Sequence, residues 1–339
     1  NADPMDNPIP KPADALQVRV RSITYLGEDV NAYEVVPLDV EELPGFTAGS
    51  HIDLYFRDGR VRQYSLCGDP TETRRYIFAV QKEEAGRGGS KAIHEIVHAG
   101  RILVISAPRN NFPLREGARH HVLIAGGIGV TPIMSMIRRL LAIGAPFEVH
   151  YGARTQKKLA FHEDLTALDL GRRLHLYIDG GDPDKGMRLQ EIETRAPADT
   201  HFYCCGPAGL MNGVKAAMSH RSSEFIHFEH FVTTGPAPKV PSELMSGQGD
   251  TIGVGFKVNL AKLGKTFDVP DDKSIVDVLR ENGIQVSTSC ESGLCGTCRT
   301  RYLEGEPEHH DYVLDAEERR HEVLICCARS KTQTLVLDL

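Results

Sequence analysis

Four cysteines near the C-terminus constrain this chain more than any other feature. Cys290, Cys295 and Cys298 follow the spacing C-x4-C-x2-C, and a fourth thiol comes from the adjacent pair Cys326 and Cys327. Plant-type 2Fe-2S clusters are held in this way, because one tight loop supplies three of the four thiolates. A structural zinc site is the alternative, although zinc ribbons favour paired C-x2-C elements and this segment contains one such pair.

The remaining composition indicates the compartment and excludes some partners. The start of the chain, residues 1–12, is polar and Pro-rich, and no apolar run approaches the roughly 20 residues of a membrane span. We therefore expect a cytosolic protein that binds no membrane. In the cytosol, cysteines stay reduced and more often hold metals or clusters than form disulfides. The net charge of -7 comes without a basic stripe, so nucleic-acid binding is not expected.

The chain has 339 residues, enough for two or three domains. Residues 13–113 contain short β-rich runs between turn signals, which predict a small antiparallel barrel. Residues 114–232 alternate apolar strands with amphipathic helices, which predicts a parallel α/β sheet. Residues 233–250 have the Pro, Gly and Ser content of a linker, and residues 251–339 form the cysteine-containing domain.

A glycine-rich turn, AGGIGVTP at residues 125–132, lies between a predicted strand and a helix at 131–143. Thr131 suits the N-cap of that helix and Pro132 its first position. Glycines at such a turn let a dinucleotide pyrophosphate approach the free N–H groups of the helix. A glycine-rich turn alone is also common in α/β proteins without a nucleotide.

A second strand-to-turn junction lies at residues 202–207, FYCCGP. Ligands of α/β folds bind at the carboxyl ends of the strands, so Cys205 is expected to face a nicotinamide ring. Strand alternation then directs Cys204 into the core. Both cysteines could instead be core thiols.

The predicted barrel offers a third set of candidates. Arg62, Tyr64 and Ser65 on one strand provide a phosphate clamp, a surface for a flat ring and a hydrogen bond to that ring. The segment GRGGS at 86–90 adds backbone donors that suit a phosphate. Read separately, Tyr64 could be barrel core and GRGGS a surface loop.

Together these motifs resemble the phthalate dioxygenase reductase family, which includes vanillate demethylase reductases. The resemblance rests on RQYSLC at 62–67, GRGGS at 86–90, AGGIGVTP at 125–132, YCCGPAGLM at 203–211, FEHF at 228–231 and CESGLCGTC at 290–298. It implies an FMN-binding β-barrel, a ferredoxin reductase-like NAD domain and a C-terminal β-grasp ferredoxin domain. It also implies that NADH reduces FMN, then the 2Fe-2S cluster, then a Rieske-type oxygenase or demethylase that acts on aromatic compounds.

Site residues follow from this resemblance, motif by motif. The implied FMN-binding residues are Arg62, Tyr64, Ser65, Gly88, Gly89, Ser90 and Thr131, with Phe231 stacked near the flavin ring. The implied nucleotide-binding residues are Gly126, Gly127, Gly129, Arg154, Cys205, Gly206 and Pro207. The implied cluster ligands are Cys290, Cys295, Cys298 and Cys326. We expect hydride transfer near Ser65 and Cys205, with Phe231 beside them.

Arg154 departs from the expected pattern, because a cation near the adenosine ribose could accept the 2′-phosphate of NADPH. The preference for NADH therefore comes from the resemblance. The expectation of FMN instead of FAD also comes from the resemblance. Relatives with an N-terminal ferredoxin domain generally carry FAD, whereas this ferredoxin domain is C-terminal.

A flavin must stand between a two-electron hydride donor and a one-electron cluster. We therefore expect a monomeric NADH-dependent oxidoreductase that requires no general acid or base. Two alternatives are an electron-carrier and docking module with a regulatory nucleotide domain, and a reductase of its own small substrate. The conspicuous histidines, which include His94, His120 and His121, are expected to be solvated or capping groups.

Overall fold

A computed structural model describes most of the chain: residues 14–56, 61–83, 89–231, 255–270, 273–288, 293, 296–311, 314–315 and 317–339. The chain divides into two compact units, Asn1–Thr234 and Gly235–Leu339. The division falls within the predicted linker, near its start, and the first unit contains both of the first two predicted domains.

The first unit begins with a six-stranded antiparallel sheet in the order β4-β3-β6-β1-β2-β5. The strands are β1 (Leu16–Gly27), β2 (Val30–Pro37), β3 (His51–Tyr55), β4 (Val61–Ser65), β5 (Tyr76–Gln81) and β6 (Ile102–Ile105). Leu66 pairs with Phe78, so the two outer strands meet and the sheet closes into the predicted barrel. Val18, Ile52 and other aliphatic side chains fill its interior. Helix α1 (Gly89–Ile96) follows β5.

A five-stranded parallel sheet in the order β11-β10-β7-β8-β9 follows, as predicted. Its strands are β7 (His120–Gly126), β8 (Phe147–Ala153), β9 (Leu174–Ile178), β10 (Thr200–Cys205) and β11 (Ile226–Glu229). Its helices are α2 (Val130–Ile143), α3 (His162–Ala167), α4 (Leu189–Arg195) and α5 (Ala208–Ala217). Apolar clusters on both faces bury the sheet.

Two local expectations in this sheet are wrong. Thr131 does not cap α2: a short 3-10 turn at Gly127–Gly129 precedes the helix, Gly129 is the N-cap, and the Thr131 hydroxyl donates to the Ile128 carbonyl at 2.9 Å. His121 is not solvated either. It is fully buried, and its ring nitrogens lie 2.9 Å and 3.2 Å from the carbonyl oxygens of Arg115 and Pro146.

The second unit contains a mixed five-stranded sheet in the order β13-β12-β18-β14-β16. Its strands are β12 (Phe256–Leu260), β13 (Lys265–Val269), β14 (Arg299–Glu304), β16 (Glu322–Leu324) and β18 (Thr334–Leu337), beside a small pair, β15 (Pro307–Glu308) and β17 (Arg329–Ser330). Helix α6 (Ile275–Glu281) buries Ile275 and Leu279 against the sheet. The sequence predicts the start of this helix, because Ser274 is a preferred N-cap residue, and in the structure Ser274 and Asp277 form a capping box.

Candidate functional site

The parallel sheet has a topological switch point between β7 and β10. The chain continues from β7 outward to β8 and β9 on one side, whereas β10 and β11 lie on the other. The carboxyl end of β7 at Gly126 therefore stands beside the end of β10 at Cys205. Open α/β sheets bind their ligands in the crevice at such a point.

The glycines at this crevice are needed for two different physical reasons. A Cβ on Gly129 would overlap the carbonyl oxygen of Cys205, and a Cβ on Gly126 would lie 2.7 Å from Cδ of Pro207. These glycines let the two loops pack against each other. Gly127 has a φ of +54°, and among the described residues a Cβ there would meet no heavy atom within 4 Å. Gly127 is therefore the position that leaves its backbone open to a ligand.

Cys205 lies next to an acidic residue for which the sequence predicted no role. In the parallel pair of β10 and β11, Cys205 is in register with Glu229. Burial raises the pKa of Glu229 to about 8, and its Oε2 atom is buried without a hydrogen-bond partner in the described part of the chain. Burial also raises the pKa of the Cys205 thiol, and the nearby Glu229 raises it further. The crevice therefore has two groups that hold protons at neutral pH.

Cys204 has the orientation that strand alternation predicts. It packs with Ile124, Phe202 and Val214 in the apolar cluster on one face of the sheet. Burial raises the pKa of its thiol to about 12, so it stays protonated. Cys204 is a core residue, as expected.

The structure brings Arg62 and Gly89 together on the barrel. A Cβ on Gly89 would lie 2.8 Å from the Arg62 Nε atom, so the end of the GRGGS segment rests against the guanidinium side chain. Ser90 fixes this segment, since its hydroxyl accepts a hydrogen bond from the Glu83 N–H at 3.1 Å. A cation beside the N-terminus of α1 suits a phosphate. Gly88 lies outside the described residues.

Tyr64 and Ser65 occupy the end of β4. The Tyr64 ring stacks on Phe78 with a centroid distance of 5.5 Å, so it packs partly against the barrel core. The Ser65 hydroxyl is buried and makes no hydrogen bond to any described residue. An unsatisfied buried hydroxyl costs free energy, so it indicates a polar ligand at this position.

The same end of β4 adjoins the nucleotide-type helix. Arg138 of α2 donates to the Cys67 carbonyl oxygen at 3.3 Å, and the Ser135 hydroxyl accepts from the Gly49 N–H at 3.1 Å. One apolar cluster joins barrel residues such as Ala48 to the α2 side chains. The barrel and the parallel sheet therefore present their candidate residues from one packed unit.

Arg154, implied to contact the nucleotide, and Phe231, implied to contact the flavin, both lie just beyond the ends of strands. Arg154 is exposed directly after β8, and its carbonyl accepts from the Gly180 N–H at 3.0 Å. Its side chain is thus accessible at the carboxyl edge of the sheet. Phe231 is partly buried two residues beyond β11. Thr131 is buried on α2, and its hydroxyl bonds to the preceding 3-10 turn as described above.

The second unit shows half of the predicted cluster site. Cys298 and Cys326 are both buried, and the Gly293 N–H points to the Cys326 Sγ atom at 3.3 Å. Backbone N–H groups aimed at sulfur are typical of iron–sulfur sites. Cys290 and Cys295 lie outside the described residues.

The sequence leads us to expect Cys326 and Cys327 on a strand, where alternation points only one of the two thiols at the cluster. This strand assignment is wrong. Cys326 and Cys327 lie in a turn after β16, where the Leu324 carbonyl accepts from the N–H groups of Cys327 and Ala328 at 3.1 Å and 3.0 Å. The turn still separates the two thiols, because Cys326 is buried while Cys327 is partly exposed.

A closed barrel, a dinucleotide-type switch point and a cysteine loop define an iron–sulfur oxidoreductase that uses a nicotinamide nucleotide. Residues 123–216 match the family described as "Oxidoreductase NAD-binding domain", and residues 258–331 match "2Fe-2S iron-sulfur cluster binding domain". The second match favours the 2Fe-2S cluster over zinc.

Known proteins resemble the chain over nearly its whole length. The reductase subunit of tert-butanol monooxygenase / tert-amyl alcohol desaturase from Aquincola tertiaricarbonis is 50% identical over 97% of both chains. The vanillate O-demethylase oxidoreductase of Pseudomonas putida is 42% identical over 92% of this chain and 96% of its own. The solved phthalate dioxygenase reductase structure is 35% identical over 96% of this chain and 98% of its own, with a TM-score of 0.77. This chain belongs to the phthalate dioxygenase reductase family.

The cofactors of this family are FMN, a 2Fe-2S cluster and NADH, and the described residues fit them. The open backbone at Gly127 suits a pyrophosphate, and the Arg62–Gly89 contact with the unsatisfied Ser65 hydroxyl suits FMN. The Gly293 to Cys326 contact suits a cluster sulfur. In the part of the chain that is described, no helix combines the length and apolar character needed to cross a bilayer.

Proposed function

We propose that this chain is the NADH-dependent reductase of a Rieske-type aromatic oxygenase or demethylase. Its function is to split the hydride of NADH into single electrons, through FMN and the C-terminal cluster, for that oxygenase. The main support is one combination in one chain: a switch-point crevice for a two-electron nucleotide donor and a cysteine loop for a one-electron cluster. A carrier with a regulatory nucleotide domain is not favoured, since the relatives are reductases.

Most of the site residues position the flavin and the nucleotide, and two others hold protons. Arg62, Gly89 and Ser90 bind the flavin phosphate, and Tyr64 and Ser65 contact its ring. Gly127 receives the pyrophosphate, with Gly126, Gly129, Gly206 and Pro207 shaping the crevice around it. Phe231, partly buried two residues beyond β11, would stack near the flavin ring. Cys205 and Glu229 remain neutral and exclude a buried charge from the place where hydride moves.

The domain bounds are part of the proposal: an FMN barrel at 13–113, an NAD domain at 114–232, a linker at 233–250 and a ferredoxin domain at 251–339. The bound cluster requires the thiolates of Cys290, Cys295, Cys298 and Cys326. Cutting the chain near Pro238 should leave a yellow fragment that reduces ferricyanide with NADH but reduces cytochrome c poorly. A colourless fragment would show that the boundary or the flavin site is misplaced.

We further propose a monomer in the cytoplasm. Cys67, Cys204 and Cys205 are buried free thiols, which is the expected state of cysteines in a reducing compartment. Sedimentation of the holoprotein at micromolar concentration should give a single species of about the chain mass, 37.4 kDa.

The oxygenase assignment is tested by anaerobic electron transfer to purified partners. Catalytic amounts of the holoprotein and excess NADH should bleach the visible absorption of a Rieske aromatic oxygenase within seconds. A cytochrome P450 with its substrate serves as the matched acceptor. Reduction of the P450 but not of the Rieske protein would overturn the partner class while leaving the reductase activity intact.

A further inference from the structure

A second polar cluster lies on the parallel sheet, away from the crevice. It consists of Glu148 and His150 on β8, and His175 and Tyr177 on β9. His150 is in register with Ile124 of β7 and with His175 of β9, so the cluster is on the face that α4 and α5 cover. His150 precedes the end of β8 at Ala153 by three residues, which is about 10 Å of strand.

Three potential metal ligands converge there. One ligand atom each from Glu148, His150 and His175 lies within 4.8 Å of the other two. The Glu148 Oε2 atom is 3.5 Å from Nε2 of His150 and 3.7 Å from Nε2 of His175. Ligand atoms on a tetrahedral zinc with bonds near 2.0 Å stand about 3.3 Å apart. The two separations from Glu148 exceed that value by a few tenths of an ångström, whereas the ligand atoms of the two histidines lie within 4.8 Å of each other and would have to move closer.

The state of His150 points independently to a ligand. This residue is 4% exposed, and its Nε2 atom faces the Glu148 carboxylate at 3.5 Å without a closer hydrogen bond within the described part of the chain. A buried ring nitrogen in this state needs an explanation. Its Nδ1 atom lies 3.0 Å from the Tyr177 hydroxyl, which fixes the ring; when Nδ1 carries the proton and donates to that oxygen, the Nε2 lone pair is directed at the cluster. Metal-bound histidines are held in this way by a partner on the other nitrogen.

The remaining two ligands have room to adjust. The side chain of His175 is 42% exposed and its ring lies almost parallel to that of His150, with centroids 4.6 Å apart. Rotation of this exposed ring turns its Nε2 toward the shared carboxylate. Glu148 is also approached by His120, whose Nε2 lies 3.9 Å from the other carboxylate oxygen.

We propose that Glu148, His150 and His175 form a zinc site with an open fourth position for water. Two imidazoles and one carboxylate are a donor set that zinc accepts. β9 is an edge strand with β8 as its neighbour, so a bound ion fastens that edge to the sheet. Tyr177 is a positioning residue that orients His150. None of the residues of this zinc site belongs to the nucleotide crevice or to the cluster ligands.

The test is a zinc titration of the anaerobic holoprotein in competition with a chromophoric chelator. The wild-type chain should take up one zinc ion. His175→Gln and Glu148→Gln should each weaken binding at least tenfold, and Tyr177→Phe should weaken it about tenfold while keeping the stoichiometry. The matched control is His98→Gln, an exposed histidine of the barrel, which should leave the affinity unchanged.

The flavin and cluster absorption is recorded in the same titration. Zinc uptake with unchanged absorption and unchanged NADH reduction supports the site. Uptake that follows loss of cluster absorption would place the ion at the cysteines and overturn the proposal. Equal affinities of wild type, His175→Gln and Glu148→Gln, or no uptake by the wild type, would also overturn it.

Discussion

The molecule contains two pairs of adjacent cysteines, and they separate their thiols by different means. In β10, strand alternation sends Cys204 into the apolar core and leaves Cys205 beside Glu229 at the crevice. At Cys326 and Cys327, a turn buries the first thiol against the Gly293 N–H and leaves the second partly exposed. In both Cys-Cys dipeptides, the local backbone conformation therefore decides which of the two thiols faces the site. The predictions below test whether each pair has one functional and one passive member.

The largest effect is expected at the turn. Cys326→Ser should lose or strongly perturb the 2Fe-2S absorption and the rhombic EPR signal of the reduced protein, because an alkoxide is a harder ligand than a thiolate. Cys327→Ser is the matched control and should keep both signals. The reverse outcome would shift the fourth ligand by one residue.

In the strand pair, Cys205→Ser should lower the rate constant of flavin reduction by NADH at least tenfold, about 1.4 kcal/mol of activation free energy. The reason is that Cys205 is the member at the switch point. Cys204→Ser should leave that rate constant within about twofold of wild type. Rapid-mixing spectroscopy measures both, and equal rates would remove Cys205 from the site.

Glu229, the residue in register with Cys205, should make the stability of the fold depend on pH. The pKa of Glu229 is raised to about 8 in the folded chain, whereas an unfolded glutamate titrates near 4.5. Its neutral form therefore stabilises the fold at low pH, and this contribution is lost as the pH rises toward about 8. The melting temperature of wild type should fall between pH 5 and pH 8.5 on the order of a few degrees. Glu229→Gln should flatten that decline, and an unchanged slope would show that Glu229 is ionised at neutral pH.

The smallest effect concerns the passive thiols. Cys204→Ser buries a hydroxyl among apolar side chains and should reduce the free energy of unfolding by about 1–3 kcal/mol. Cys327→Ser, at a partly exposed position, should change it by less than about 0.5 kcal/mol. Denaturant unfolding of the holoprotein compares the two. A larger loss at Cys327 would mean that this thiol supports the fold and is not passive.

The sequence predicted the barrel, the parallel sheet and the C-terminal helix because their signals are local. Periodicity defines β7 and α2, and Ser274 defines the start of α6. The failures are also physical. Thr131 has the chemistry of a cap, but the 3-10 turn at Gly127–Gly129 starts the helical backbone earlier, so Gly129 is the N-cap. The Cys326–Cys327 turn shows no periodicity that distinguishes it from a strand.

Residues that meet only through the fold were missed. Glu229 and Cys205 are 24 positions apart, and their contact follows from the pairing of β10 with β11. The sequence contained one signal for this contact: an acidic residue, Glu229, ends the strand that follows the FYCCGP junction. His150 and His175 come together across β8 and β9 in the same way. Strand order, which single-sequence patterns do not give, decides both.

The central claim is that NADH electrons reach the cluster through the flavin. Anaerobic rapid mixing of the holoprotein with NADH, followed at flavin and cluster wavelengths, tests it most directly. We predict two phases, with flavin absorption lost first at a rate that depends on NADH, and cluster absorption lost second. Cys326→Ser should show the first phase alone. Loss of cluster absorption in protein stripped of flavin, or no NADH-dependent change at the flavin wavelength, would contradict this electron path.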